Sequence, residues 1–168
     1  MVAGRGPLPL GQVTHDIRMI KELTGNAPLY LLGPLVTDIA AGYDHVAAAI
    51  GGAVACMDGA DFLCMVSPGE HLALPSIEEI VEGTRVCRIA AHIGDTVRRT
   101  GRDWSERELA MALARRDLDW ERQFATALYG EVARRIHCRD GDLETCSMCG
   151  DLCAVKMMRD LLENGGKD

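Results

Sequence analysis

Cys146-Ser-Met-Cys149-Gly-Asp-Leu-Cys153 puts three thiols within eight residues, a length of chain equal to about two helical turns. Gly150 permits a tight bend between them. Thiolates are soft donors suited to zinc or to iron–sulfur clusters. Three cysteines on a four-iron cluster leave one iron open, which a cluster that binds and cleaves a ligand requires. An electron-transfer cluster normally takes four. A zinc site completed by Cys138 or His137, or a set of free thiols, fits the same spacing. Residue types alone leave these readings open.

A second group follows the apolar run Phe62–Val66. Ser67-Pro-Gly-Glu70-His71-Leu-Ala-Leu-Pro75 stands where a parallel strand would deliver the chain to a ligand crevice. His71, with Glu70 beside it, reads there as a metal ligand, an acid/base group or a structural histidine. Tyr30 ends the segment Asn26–Tyr30; its plain reading is a half-buried ring with the hydroxyl on a neighbour. Asp38 and Asp44 suit either a polar ligand or the cap of a following helix.

The other cysteines carry less. Cys56, Cys64 and Cys87 sit in apolar surroundings and read as small buried hydrophobes. Seven cysteines is an odd number, and in a reducing compartment they are not a disulfide framework. A net charge of −7 lacks the basic footprint of a nucleic-acid binder. The longest apolar run, Val46–Met57, is far shorter than the roughly 20 residues of a membrane helix. No basic segment with a following apolar core opens the sequence, so a cytoplasmic protein is expected. At 168 residues, 48% hydrophobic and 26% charged, the chain has the balance of one folded domain with or without a small appendage.

The elements expected to position these groups alternate at first. Leu29–Leu32 and Phe62–Val66 are continuous in hydrophobicity, as buried parallel strands are. Met1 and Val2, closed by Gly4 and Gly6, read as the tail of an earlier strand. Helices are expected over Asp16–Leu23 and over Val46–Met57, the latter despite glycines that lower its propensity. A third opens at a Ser76–Glu79 capping box, with Ile77, Ile80, Val81, Thr84, Cys87 and Ala91 as its apolar stripe. These are three βα units, hence an α/β fold with a parallel sheet. Beyond residue 100 the pattern is helical. Ser105 and Glu108 form another capping box, and Leu109, Leu113, Phe124 and Leu128 suggest one long helix or a close pair crossing Asp117–Trp120. Glu131–His137 and Ala154–Leu162 are further helices, and the end from Asn164 is expected to fray. Three βα units cannot close a barrel, so the chain reads as the C-terminal portion of something larger.

Several strings, LGPLVTDIAAGYDHVAAAIGGA, FLCMVSPGEHLALP, KELTGNAPLY, RIAAH, LDWERQF and CSMCG, resemble the phosphomethylpyrimidine synthase (ThiC) family. The resemblance runs in order from Met1 to about Met158. It implies a noncanonical radical S-adenosylmethionine enzyme, a lyase that rearranges aminoimidazole ribonucleotide to the hydroxymethylpyrimidine phosphate of thiamine. The implied fold is a partial (β/α)8 barrel, about three C-terminal βα units over residues 1–100, followed by an α-helical tail over residues 101–168. His71 falls on the metal-binding His of the family's P-x-E-H-L motif, for Zn or Fe(II). Tyr30 falls on the substrate-contacting Tyr of A-P-x-Y. Cys146, Cys149 and Cys153 fall on the 4Fe-4S cluster ligands. A homodimer, or a complementary half-barrel polypeptide, is the implied partner, with no nucleic acid and no membrane.

Departures from the family pattern are specific. Where the family has E-G-P-G-H-x-P, this chain reads Ala3-Gly-Arg-Gly-Pro7-Leu-Pro9. Ala3 replaces a substrate-binding Glu and Pro7 a second metal His, so a metal on His71 is expected to be weakly held; His45 and Asp38 are the nearest substitutes. The cysteine spacing is C-x2-C-x3-C rather than the usual C-x2-C-x4-C. These changes keep two alternatives in view: a paralogue making 5-hydroxybenzimidazole for a cobamide lower ligand, and a non-catalytic truncated homologue that retains cluster binding.

Overall fold

The computed structural model describes residues 7–98, 102–141 and 144–164. They form two compact units, within Met1–Thr100 and Gly101–Asp168. The expected first strand at Met1–Val2, Ala3, and the end beyond Asn164 lie outside the described residues.

The first unit is an α/β arrangement around a small parallel sheet. Helix α1 (Leu10–Leu23) precedes strand β1 (Tyr30–Leu32), helix α2 (Asp44–Asp58), strand β2 (Phe62–Cys64) and helix α3 (Ile77–Arg98). The strands pair in parallel, Tyr30 with Phe62 and Leu32 with Cys64. They are shorter than their apolar runs for a local reason. The last rung is Gly33 N–H to the Cys64 carbonyl at 3.3 Å, and Pro34 has no N–H to continue the ladder. Leu31 and Leu63 pack against a core of Val13, Ile17, Ala55, Cys56 and Ala60. The opposite sheet face carries Tyr30 (64% exposed), Leu32 (61%) and Phe62 (62%), an apolar surface with no cover among the described residues.

Helix α2 forms despite Gly51 and Gly52 because small residues let it approach the sheet. A methyl group on Gly51 would strike the Pro34 carbonyl, and one on Gly52 would press on Leu63. Helix α3 corrects an expectation. Its Ser76–Glu79 capping box is present, with Ser76 N–H on Glu79 at 2.7 Å and Glu79 N–H on Ser76 Oγ at 3.2 Å. Its buried residues, however, are Gly83, Ala90 and Gly94, while Ile77, Ile80 and Val81 are exposed. Close approach decides: Gly83 lies under the Val66 carbonyl and Gly94 under Cys56, contacts that no larger residue permits.

The second unit is helical: α4 (Arg102–Arg116), α5 (Trp120–Thr126), α6 (Gly130–His137) and α7 (Ala154–Asn164), with 3-10 turns at Cys138–Asp140 and Gly150–Leu152. Arg102 is already helical, so Ser105 lies inside α4 and is not its N-cap. The region across Asp117–Trp120 resolves as a pair of helices. Leu118 adopts φ 55°, and Asp119 caps α5 by accepting from Arg122 N–H at 2.9 Å. Phe124 is the buried anchor here, against Trp120 and His137. No described helix is long and apolar enough to cross a membrane.

Candidate functional site

The turn after β2 is stitched by its own residues. Ser67, fully buried, donates through Oγ to Glu70 at 3.0 Å and through N–H at 3.2 Å. Glu70 is therefore spent on Ser67, and the carboxylate that meets His71 is another one. His71 Nδ1 lies 3.0 Å from Oδ2 of Asp44, the first residue of α2. Asp44 is 6% exposed, whereas the His71 ring is largely open to solvent. This hydrogen bond raises the His71 pKa above its ordinary value, with the negative charges of Asp44, Glu70 and Asp38 adding to it against some desolvation. His71 also holds φ 65°, a left-handed conformation that the turn imposes.

A histidine bonded through one ring nitrogen to a buried carboxylate has its other nitrogen aimed outward. That is the arrangement of a metal-ligating or proton-transferring His. The sequence supplied His71 and Asp44 separately and did not pair them. The available signal was their positions, each in the connection that follows one of two neighbouring parallel strands. His45, the suggested substitute ligand, is buried; its Nδ1 has no partner among the described residues, and it lines a small cavity with Gly33, Cys64 and Cys87. Asp38 is exposed. Pro7 is exposed and brings no donor atom in its side chain.

Tyr30 projects onto the uncovered sheet face. Its hydroxyl is hydrogen-bonded to the Cys64 thiol, diagonally across on β2, and this contact raises the Tyr30 pKa. Cys64 and Cys87 are half-buried rather than fully enclosed. Cys56 is buried, and desolvation pushes its thiol up to about 11. Burial likewise raises Cys87.

In the second unit the three spaced cysteines share one loop. The Cys146 carbonyl accepts N–H groups from Cys149 at 3.2 Å and Gly150 at 3.0 Å, and Gly150 turns the chain at φ 52°. Backbone N–H from Cys149, then the Cys149 thiol and Met148 N–H, bond the Cys146 sulfur and lower its pKa. Cys149 is raised in turn, chiefly by its hydrogen bond to Cys146. Cys153 is buried at the start of α7, its carbonyl accepting Met157 N–H at 2.9 Å. Among the described residues, no three His, Cys, Asp or Glu side chains converge closely enough to hold a metal ion. The donor set nonetheless suits a soft cluster: three thiols on one loop that Gly150 turns at φ 52°. Of the suggested fourth ligands, His137 is stacked on Trp120 at 3.8 Å with Nε2 buried and unpartnered among the described residues, and Cys138 is exposed.

A sequence profile described as the radical SAM ThiC family matches residues 1–160. A phosphomethylpyrimidine synthase of Archaeoglobus fulgidus is 54% identical over 165 residues, covering 97% of this chain and 39% of that protein. Phosphomethylpyrimidine synthase 2 of Methanosarcina barkeri is 55% identical over 165 residues, covering 96% and 38%. A phosphomethylpyrimidine synthase of Carboxydothermus hydrogenoformans is 50% identical over 170 residues, covering 100% and 39%. The chain therefore spans well under half the length of these relatives.

Proposed function

Because the chain belongs to the radical SAM ThiC family, we propose that it is the cluster-bearing part of a phosphomethylpyrimidine synthase, rearranging aminoimidazole ribonucleotide to hydroxymethylpyrimidine phosphate in thiamine biosynthesis. In this reading residues 1–100 are βα units of a (β/α)8 barrel and residues 101–168 are its cluster tail. The observation that carries it is the Cys146–Cys153 loop within a chain about 50% identical to enzymes of that name. The uncovered face of Tyr30, Leu32 and Phe62 supports a barrel interior completed by further strands, on the same or another polypeptide. A second copy is the other partner the resemblance suggests.

Cys146, Cys149 and Cys153 would hold a 4Fe-4S cluster, which when bound supplies an electron to S-adenosylmethionine at its open iron. Around it, this chain's residues bind and orient. The Cys146 sulfur takes backbone N–H bonds that stabilise its thiolate. Asp44 fixes the His71 ring, so that Nε2 is presented to a metal or to a substrate proton. Tyr30 offers its hydroxyl on the open sheet face, where a substrate polar group would meet it.

One observation favours a second reading. Pro7 stands where the family pattern has a metal-binding His, so His71 alone would hold Zn or Fe(II) weakly. A divergent product, such as 5-hydroxybenzimidazole for a cobamide, or a cluster-binding homologue without catalysis, accommodates that loss.

Anaerobic reconstitution with iron and sulfide tests the cluster assignment. The expected result is a four-iron cluster that Cys149→Ser abolishes and Cys87→Ser leaves intact. Equal loss in both variants, or no cluster in the wild-type chain, overturns it. Product analysis with aminoimidazole ribonucleotide, in the presence of a complementary half-barrel polypeptide, then separates the enzyme readings from the non-catalytic one.

A further inference from the structure

Glu144 immediately precedes the cysteine loop and is bonded from both sides of it. Its backbone carbonyl accepts the indole N–H of Trp120, on α5, at 2.8 Å. Its carboxylate accepts Lys156 Nζ at 2.6 Å and Arg159 at 2.8 Å, both on α7, which begins directly after Cys153. Inside this frame buried Thr145 donates from Oγ1 to the Gly150 carbonyl at 3.0 Å. The chain ahead of Cys146 is thereby tied to the helix behind Cys153. Trp120 is itself fixed, stacked on His137 and packed on Phe124.

We propose that Glu144 and Trp120 are positioning residues for the cluster, a clamp that sets the separation of Cys146 and Cys153 before iron arrives. This rests on the cluster reading above. The physical case concerns ordering. A free loop with three thiols must lose backbone and rotamer freedom when it binds, and that loss opposes binding. A loop whose two ends are already joined has less to lose, and its ligands dissociate less readily. An exposed ion pair contributes little to global stability. The Glu144 bridge is therefore better understood through what it holds in place than through the stability it adds.

The test uses the full chain, reconstituted anaerobically, with iron release to a chelator and the reduced-cluster paramagnetic resonance spectrum as readouts. Glu144→Ala removes the carboxylate, and Trp120→Phe removes the indole donor while keeping a ring against His137. Glu121→Ala, which breaks the exposed Glu121–Arg134 pair in the same unit, is the control. Glu144→Ala and Trp120→Phe are expected to release iron about 10-fold faster, the low end for outer groups that orient metal ligands, and to shift the spectrum. The control should do neither, and helicity should match throughout. If Glu144→Ala fails to fold, Trp120→Phe carries the test alone. Wild-type release rates and an unchanged spectrum in the folded variants overturn the clamp. A wild-type chain that takes up no cluster overturns the cluster reading, and the clamp with it.

Discussion

His71 Nδ1 and Asp44 Oδ2, 3.0 Å apart, join the turn after β2 to the first turn of α2. The pair gives His71 a raised pKa, and the sign follows. Protonated His71 is favoured in the folded state, so the pair's contribution is complete below the ordinary His range and fades as pH rises through the raised value. A nuclear magnetic resonance titration of the five histidines is expected to show His71 with a midpoint above the ordinary value. Asp44→Asn should bring it back down. A His71 midpoint unaffected by Asp44→Asn would contradict the pairing.

Asp61 is the mirror case. It accepts from Lys21 on α1 at 2.9 Å, Leu29 N–H at 2.9 Å and Arg98 on α3 at 3.1 Å. These donors, Lys21 foremost, hold its carboxyl well below the usual carboxylate range. The stability it provides is present above that range and lost as pH falls through the depressed value. Asp61→Asn is expected to cost about 1–2 kcal/mol near neutral pH, a value reduced for its partial exposure. Urea titrations should show the gap between wild type and variant narrowing in acid. A constant gap down to strongly acidic pH would remove the charge from the explanation.

Local features of this fold are legible in the sequence, and the long-range pairings are not. The Ser76–Glu79 box fixes the start of α3 because both partners lie within one turn. The face of α3 misleads, since Ile77, Ile80 and Val81 carry the hydrophobicity while Gly83, Ala90 and Gly94 carry the close contact. Hydrophobic periodicity weighs side chains and overlooks a helix that packs through its backbone. At the candidate site, the sequence supplies His71, Tyr30 and the three cysteines but does not pair His71 with Asp44. Glu70 is adjacent in the chain, and Asp44 is distant in sequence but brought in by the parallel pairing of β1 and β2. The bond from Trp120 to Glu144 likewise depends on how α5 meets the loop.

The glycine contacts yield a contrast in sign. Replacing Gly by Ala inside an exposed helix gains up to about 1 kcal/mol from propensity. At Gly94 the new methyl group would overlap Cys56, and at Gly83 the Val66 carbonyl, whereas Gly11 in α1 faces open space. Overpacking costs roughly 1–3 kcal/mol and outweighs propensity. Gly83→Ala and Gly94→Ala are expected to lower the thermal midpoint, while Gly11→Ala holds or raises it. Equal midpoints in all three would show that α3 does not pack this closely on Cys56 of α2 and on Val66 after β2.

Cysteine reactivity separates the buried thiols from the loop. Cys56 is pushed up to about 11 by burial, against an ordinary thiol near 9.0, and Cys146 is lowered by backbone N–H bonds. Two pKa units leave Cys56 with about 100-fold less thiolate at pH 8. Its greater intrinsic nucleophilicity recovers about 10-fold of that. Ionisation alone therefore leaves Cys56 at least about 10-fold slower than an ordinary thiol, and inaccessibility slows it further. In the reduced, metal-free chain, alkylation followed by peptide mass spectrometry should label Cys146 far ahead of Cys56. Raising the pH toward 11 should narrow the difference as Cys56 ionises. If Cys56 is modified as quickly as Cys146 at pH 8, the burial of Cys56 against Gly94 is not as described.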